Sequence, residues 1–167
     1  MRPICLIGMM GSGKTTIGKA LAIDLNLTWI DTDDYIEAQT QKQIATIFEK
    51  SGEQYFRELE KKALMKALPY FECISTGGGS IIAPENRDLL KKNAYVIYLT
   101  AEIKTLANRL TRANRPLLKN EPLEEKLAAL FEVRADLYQT CADLTIVTDD
   151  LTIAEVIAQI KQRMGFY

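Results

Sequence analysis

Ile4-Cys5-Leu6-Ile7, stopped by Gly8, is an apolar run too short for a helix and without alternation, the mark of a strand buried on both faces of a parallel sheet. Four similar runs follow: Thr28-Trp29-Ile30, Cys73-Ile74-Ser75-Thr76, Tyr95-Val96-Ile97-Tyr98-Leu99 and Leu144-Thr145-Ile146-Val147. Between them apolar residues recur at helical spacing: Ile17, Ala20, Leu21 and Leu25; Ile103, Leu106, Ala107 and Leu110; Leu127, Leu130, Phe131 and Leu137; Ile153, Val156, Ile157 and Ile160. Short strands alternating with helices predict one doubly wound α/β domain, a five-stranded parallel sheet flanked by helices and spanning 1–167.

Two segments depart from this alternation. Between Asp34 and Pro69 every signal is helical, at Ile36, at Ile44, Ile47 and Phe48, and at Phe56, Leu59, Ala63, Leu64 and Ala67. One crossover helix suffices between parallel strands, so residues 34–68 are expected to include a substrate-facing helical insert. Ser51-Gly52-Glu53-Gln54 reads as a break followed by a capping box. Thr111 to Pro122, with Arg112, Arg115, Lys119, two prolines and two asparagines, has no periodicity and is expected to be a mobile polar loop.

The 167 residues carry a net charge of −1, from 21 basic and 22 acidic side chains, which argues against electrostatic binding of nucleic acid or of an anionic membrane. There is no histidine, which excludes His-based triads and His-ligated zinc. Acid–base work falls to Asp, Glu, Lys, Tyr or Cys. Cys5, Cys73 and Cys141 are far apart and odd in number, so no disulfide framework or CxxC site is expected. No apolar run reaches membrane-spanning length, and the N-terminus has no signal-peptide layout, so a cytoplasmic, unprocessed chain is expected.

Gly8-Met9-Met10-Gly11-Ser12-Gly13-Lys14-Thr15 matches G-x-x-x-x-G-K-[ST], with a buried strand before it and an amphipathic helix after it. In such a loop glycines let successive N–H groups turn toward phosphate oxygens at a helix N-terminus; Lys14 would reach the β/γ-phosphates and Thr15 would ligate Mg²⁺. Asp31 and Asp33 stand two apart at the end of the second strand and project to one side if the strand still alternates there. They serve as metal and acceptor-hydroxyl ligands, or else Asp31-Thr32-Asp33 only caps the next helix. Gly77-Gly78-Gly79 after a buried strand means either a close backbone approach to a ligand or a loose turn. Arg57, Arg115 and Arg134 fall in the insert, the polar loop and the following helix, where arginines are ordinarily solvated.

As a set these residues resemble the shikimate kinase family over essentially the whole chain. The resemblance is carried by GMMGSGKTT at 8–16, DTDDYIE at 31–37, IFEKSGEQYFRELE at 47–60, STGGGSI at 75–81, RPLL at 115–118 and the Arg134 of VRADLY. It implies a P-loop fold like that of the nucleoside monophosphate kinases, with a lid at about 111–122, transferring the γ-phosphoryl of ATP to the 3-hydroxyl of shikimate. It further implies that Gly11, Ser12, Gly13, Lys14, Thr15 and Thr16 hold ATP, and that Thr15 and Asp31 hold Mg²⁺. Asp33 is then the candidate base, Arg57 and Arg134 clamp the acceptor carboxylate, and Gly77, Gly78 and Gly79 line the pocket. Arg115 closes over the transferred phosphate. Arg109 matches the family's adenine-stacking arginine, with Arg112 as a rival because the chain is one residue short between Arg109 and Arg115.

Phosphoryl transfer has a loose transition state, so positioning and charge neutralisation suffice without histidine. The expected partners are ATP and shikimate alone, and a monomer is expected. Two alternatives are weighed against this: another small-molecule or nucleotide kinase of the same fold, and a non-catalytic nucleotide-binding module.

Overall fold

The computed structural model describes residues 2–112 and 122–166. Five parallel strands, β1 (Ile4–Ile7), β2 (Trp29–Asp31), β3 (Cys73–Ser75), β4 (Tyr95–Thr100) and β5 (Leu144–Val147), form one sheet in the order β2-β3-β1-β4-β5. The helices are α1 (Lys14–Leu25), α2 (Thr32–Thr40), α3 (Ile44–Ala67), α4 (Pro84–Asn93), α5 (Ile103–Arg112), α6 (Leu123–Cys141) and α7 (Ile153–Met164). The strand runs read from the sequence match to within a residue at their ends.

Alternate residues of the strands feed two apolar layers. Ile4 and Leu6 of β1 pack with Cys73, Ile97, Leu99 and Ile146 against Ile17 and Leu21 of α1 and Val156 and Ile160 of α7. Cys5 and Ile7 pack with Ile74, Val96 and Tyr98 against Leu90, Leu106, Leu110, Leu127 and Tyr138 on the other face. A third, separate cluster of Ile36, Ile47, Phe56 and Ala63 joins α2 to α3. No helix among the described residues is long and apolar enough to cross a membrane.

Two local expectations are corrected, and one helix is added to those read from the sequence. Helix α4 had no apolar signature in the sequence because only Leu90 and the polar Asn86 of its ten residues are fully buried; Pro84 in its first turn was the available cue. The break in α3 falls at Gly52, at φ 81° and ψ 169°, and among the described residues Ser51 and Gln54 form no capping pair; Glu53 instead turns to Arg57 at 3.0 Å. Strand β2 ends at Asp31, so Asp33 lies in the first turn of α2 and strand alternation does not relate the two carboxylates.

Strand order reverses at β1, whose neighbours β3 and β4 are reached by separate excursions, and the carboxyl end of β1 opens into the glycine loop. In open α/β sheets the ligand crevice lies at that switch point.

Candidate active site

The phosphate loop depends on backbone only glycine adopts readily. Gly8, Gly11 and Gly13 have φ of 148°, 80° and 94°, and a methyl group on Gly8 would collide with the Leu99 carbonyl and stand 2.8 Å from Ser12 Oγ. Gly13 caps α1 without a side-chain bond, so the first-turn amides of this helix are not closed by a capping side chain. Lys14 is buried and donates to the Gly8 and Met9 carbonyls, each at 2.9 Å, which holds its ammonium along the loop. Ser12 Oγ is buried with no hydrogen-bond partner, while Thr15 and Thr16 face solvent.

Asp31 caps the next helix and also reaches the phosphate-loop helix. One oxygen, Oδ1, caps α2 by accepting from the amides of Asp33 at 2.9 Å and Asp34 at 3.5 Å; the other, Oδ2, accepts from Thr15 Oγ1 at 2.6 Å. The Thr15–Asp31 pair gives an all-oxygen donor set with a single carboxylate. Mg²⁺ suits it, because that ion keeps most of its waters and takes one or two protein oxygens beside nucleotide phosphates. Among the described residues no cluster of three or more His, Cys, Asp or Glu side chains offers a denser metal cage.

Each glycine of the 77–79 turn faces a different functional group. A methyl group on Gly77 would lie 2.6 Å from Asp33 Oδ1 and 3.0 Å from Glu60 Oε1. One on Gly78 would lie 3.4 Å from the Met10 amide nitrogen and 3.8 Å from an Arg134 guanidinium nitrogen, and one on Gly79 would stand 2.6 Å from Arg57 Nη2. The turn therefore joins the phosphate loop, Asp33, Arg57 and Arg134 in one place, and the loose-turn reading is set aside.

The charges here are unevenly matched. Arg57 is paired twice, to Glu60 at 2.5 Å and Glu53 at 3.0 Å. Arg134 is only 9% exposed, yet among the described residues it makes no ion pair. Asp33 Oδ1 is sealed from solvent with no hydrogen-bond partner. Burial, reinforced by the Asp31 and Glu60 carboxylates against the opposing pull of Lys14, raises the Asp33 pKa from 3.8 to about 7. Burial also lifts Glu60, which Arg57, Ser80 and Arg134 pull back.

Of the two candidate arginines on α5, Arg109 faces the phosphate loop. It donates to the Thr148 hydroxyl at 3.0 Å, the Thr148 carbonyl at 2.8 Å and, more weakly, the Gly11 carbonyl at 3.4 Å, whereas Arg112 is exposed at the helix end.

A family model described as shikimate kinase matches residues 10–165. The chain belongs to the shikimate kinase family. A shikimate kinase of Dictyoglomus turgidum is 39% identical over 167 residues, covering 96% of both chains, and one of Enterococcus faecalis is 40% identical over 166 residues, covering 98% of this chain and 99% of its own. Among solved structures, the shikimate kinase of Acinetobacter baumannii in complex with shikimate superposes with a TM-score of 0.93 at 37% identity, covering 99% of this chain and 93% of the other.

Family membership thus accords with a five-stranded parallel sheet built around the phosphate loop. Lys14, Thr15, Asp31, Asp33, Arg57, Arg134 and the three glycines, all singled out in the sequence, come together, and Arg109 joins them from α5. Arg115 and most of the 111–122 segment lie outside the described residues. The sequence assigned no role to two side chains at the site. Glu60 is 2% exposed and links Arg57 to Ser80, the latter at 3.2 Å; its signal was the Arg-x-x-Glu spacing within Phe56-Arg57-Glu58-Leu59-Glu60, which sets both on one helix face. The other is Tyr138, four residues beyond Arg134 on α6.

Proposed function

We propose that this chain transfers the γ-phosphoryl group of ATP to the 3-hydroxyl of shikimate. The reading is carried by the glycine turn at 77–79, which gathers two guanidinium groups and one carboxylate beside a phosphate loop. A small ring acid with a carboxylate at one end and hydroxyls at the other is complementary to that arrangement. Arg134, buried without an ion-pair partner among the described residues and only partly offset by the Glu60 carboxylate, has positive charge left for an anion to complete. Arg57 is held in place by Glu60 and Glu53 and adds a second planar fork.

Asp33 stands at the other end, beside Gly77, and its oxygen without a partner would accept the acceptor's hydroxyl proton. Its raised pKa suits a base that works near neutrality. Lys14 would leave the Gly8 and Met9 carbonyls for the phosphates, and the α1 amides would receive phosphate oxygens. Thr15 and Asp31 would hold Mg²⁺, which when bound supplies positive charge against the phosphates. Arg109, bonded from α5 to the phosphate loop, would cover the adenine, and Arg115, on its RPLL motif alone, would close over the transferred group. Buried, unpaired thiols fit a reducing cytoplasm.

The test is release of ADP from ATP with and without shikimate, with the product identified by phosphorus NMR. Release dependent on shikimate and a new 3-phosphate monoester are expected. Steady release that shikimate does not change would overturn the assignment.

A further inference from the structure

Tyr138 is fully buried, yet its hydroxyl is committed to the acceptor turn: it donates to the Gly78 carbonyl. Its ring lies against Tyr98 of β4, with centroids 5.0 Å apart and planes 17° from parallel. Tyr98 is itself 3% exposed and pairs with Ile7, the last residue of β1 before the phosphate loop. The ring is thus clamped by the sheet on one side while its oxygen holds the turn on the other. Burial raises the Tyr138 pKa to about 12, and neighbouring Arg134 opposes that rise, so the hydroxyl keeps its proton and stays a donor at any working pH.

The bond fixes more than a carbonyl. In a trans peptide the C=O and the following N–H point in opposite directions, and the described chain has no cis bonds. Tyr138 holding the Gly78 oxygen therefore sets the direction of the Gly79 N–H, on the residue packed against Arg57. A turn of three glycines has the least intrinsic preference for one conformation, so an external anchor decides which way its amides face. Arg134 lies one helical turn before Tyr138 on the same buried face of α6, so one helix supplies both a carboxylate-binding cation and the anchor for the turn opposite it.

We propose that Tyr138 is a positioning residue for acceptor binding: its hydroxyl, through the Gly78 carbonyl, orients the Gly78–Gly79 peptide so that the Gly79 N–H faces the acceptor between Arg57 and Arg134. This rests on the shikimate reading above. It assigns no chemistry to the phenol, which does not touch the reacting atoms.

The experiment is Tyr138→Phe, which keeps the ring and its stacking and removes only the oxygen, with Tyr98→Phe as the control that leaves the Gly78 bond intact. In Tyr138→Phe the KM for shikimate should rise about tenfold, the loss of roughly one well-placed hydrogen bond, while the KM for ATP stays within about twofold. Tyr98→Phe should leave both constants near wild type. A merely structural tyrosine would lower the thermal midpoint and leave the ratio of the two KM values unchanged, and that result overturns the proposal. A second measurement separates the turn from Arg134, which also bonds the phenol oxygen: the Gly79 amide resonance should shift and its hydrogen exchange slow on adding shikimate alone to wild type and do so much less in Tyr138→Phe, and a Gly79 amide that is unmoved, or that responds equally in both, also overturns it. If the wild-type chain does not phosphorylate shikimate, the functional reading itself fails; if it does and Tyr138→Phe matches it, only the role of Tyr138 fails.

Discussion

Thr15 donates its hydroxyl to Asp31 Oδ2 at 2.6 Å while the other oxygen of the same carboxylate caps α2, so one side chain ties the phosphate-loop helix to the helix that carries Asp33. An asparagine there can still cap α2 through its oxygen and donate its NH2 to the Thr15 hydroxyl, but it brings no negative charge. Asp31→Asn should therefore change stability by less than about 0.5 kcal/mol, because Asn caps as well as Asp, yet lower kcat more than tenfold through the lost charge. Urea unfolding and steady-state kinetics on the same preparation check the two effects.

Lys14→Ala separates catalysis from folding. The ammonium bonds the Gly8 and Met9 carbonyls of its own loop, and α1 is held by Ile17, Leu21 and Ala22 against the sheet. Turnover should fall at least about a hundredfold, as when a transition-state donor is removed. The thermal midpoint should move by no more than about 4 °C. Near-wild-type turnover would remove Lys14 from the phosphate site.

How far the sequence reached follows from where each signal is local. Strands were legible because burial on both faces leaves a continuous apolar run, as at Cys5 and Ile74; α4 was not, because a helix that buries mainly Leu90 and Asn86 has no apolar stripe. Lys14 and the glycines were legible because a sharp turn restricts residue type locally. Asp31 was legible as a residue but not as a geometry, since helix α2 begins directly after it and ends the alternation. Glu60 and Tyr138 resemble any helical Glu and any core aromatic until Arg57 and Gly78 are seen beside them.

The pH dependence of acceptor capture should report Asp33. Its pKa of about 7 in the fold, against 3.8 as the ordinary value, means the carboxylate is scarce below neutrality. kcat/KM for shikimate should thus rise with pH through about 7, and Asp33→Asn should lose both most of the activity and that limb. The stability sign is opposite. Because the folded state holds the proton to higher pH than the unfolded chain, wild type loses stability as pH rises between about 4 and 7. Asp33→Asn should then be the more stable protein above pH 7 and show no such gain below about pH 4. Chemical denaturation at both ends of the range decides it.

Gly18 tests the packing of α1 on the sheet. In a helix interior Gly→Ala ordinarily gains about 1 kcal/mol. Here the added methyl would collide with Ser75 Oγ and stand 2.8 Å from Trp29 Nε1; those two groups are already bonded to each other at 3.1 Å, and the Ser75 hydroxyl donates to the Lys14 carbonyl at 2.8 Å. Overpacking against a fixed network typically costs about 1 to 3 kcal/mol, so Gly18→Ala should destabilise by roughly 1 to 2 kcal/mol net. An unfolding midpoint at or above wild type would show that the helix can move away from β2 and β3.

Acceptor identity is tested most directly at Arg134, because Arg57 already has Glu60 and Glu53 as partners whereas Arg134 has no ion pair among the described residues. If the acceptor carboxylate completes Arg134, Arg134→Ala should weaken acceptor binding by roughly 2 to 5 kcal/mol, with ATP affinity little changed, since truncating one partner leaves the other charge unpaired. Arg57→Ala removes the second cation but also strands the buried Glu60 carboxylate, so it should add a loss of stability that Arg134→Ala does not show. The informative comparison assays Arg134→Ala on shikimate and on a neutral analogue lacking the carboxylate. Wild type should prefer shikimate strongly, and the variant should lose most of that preference because the analogue never used the guanidinium. Equal losses on the two acceptors would mean that Arg134 supports the Gly78 turn and Tyr138 rather than reading the carboxylate.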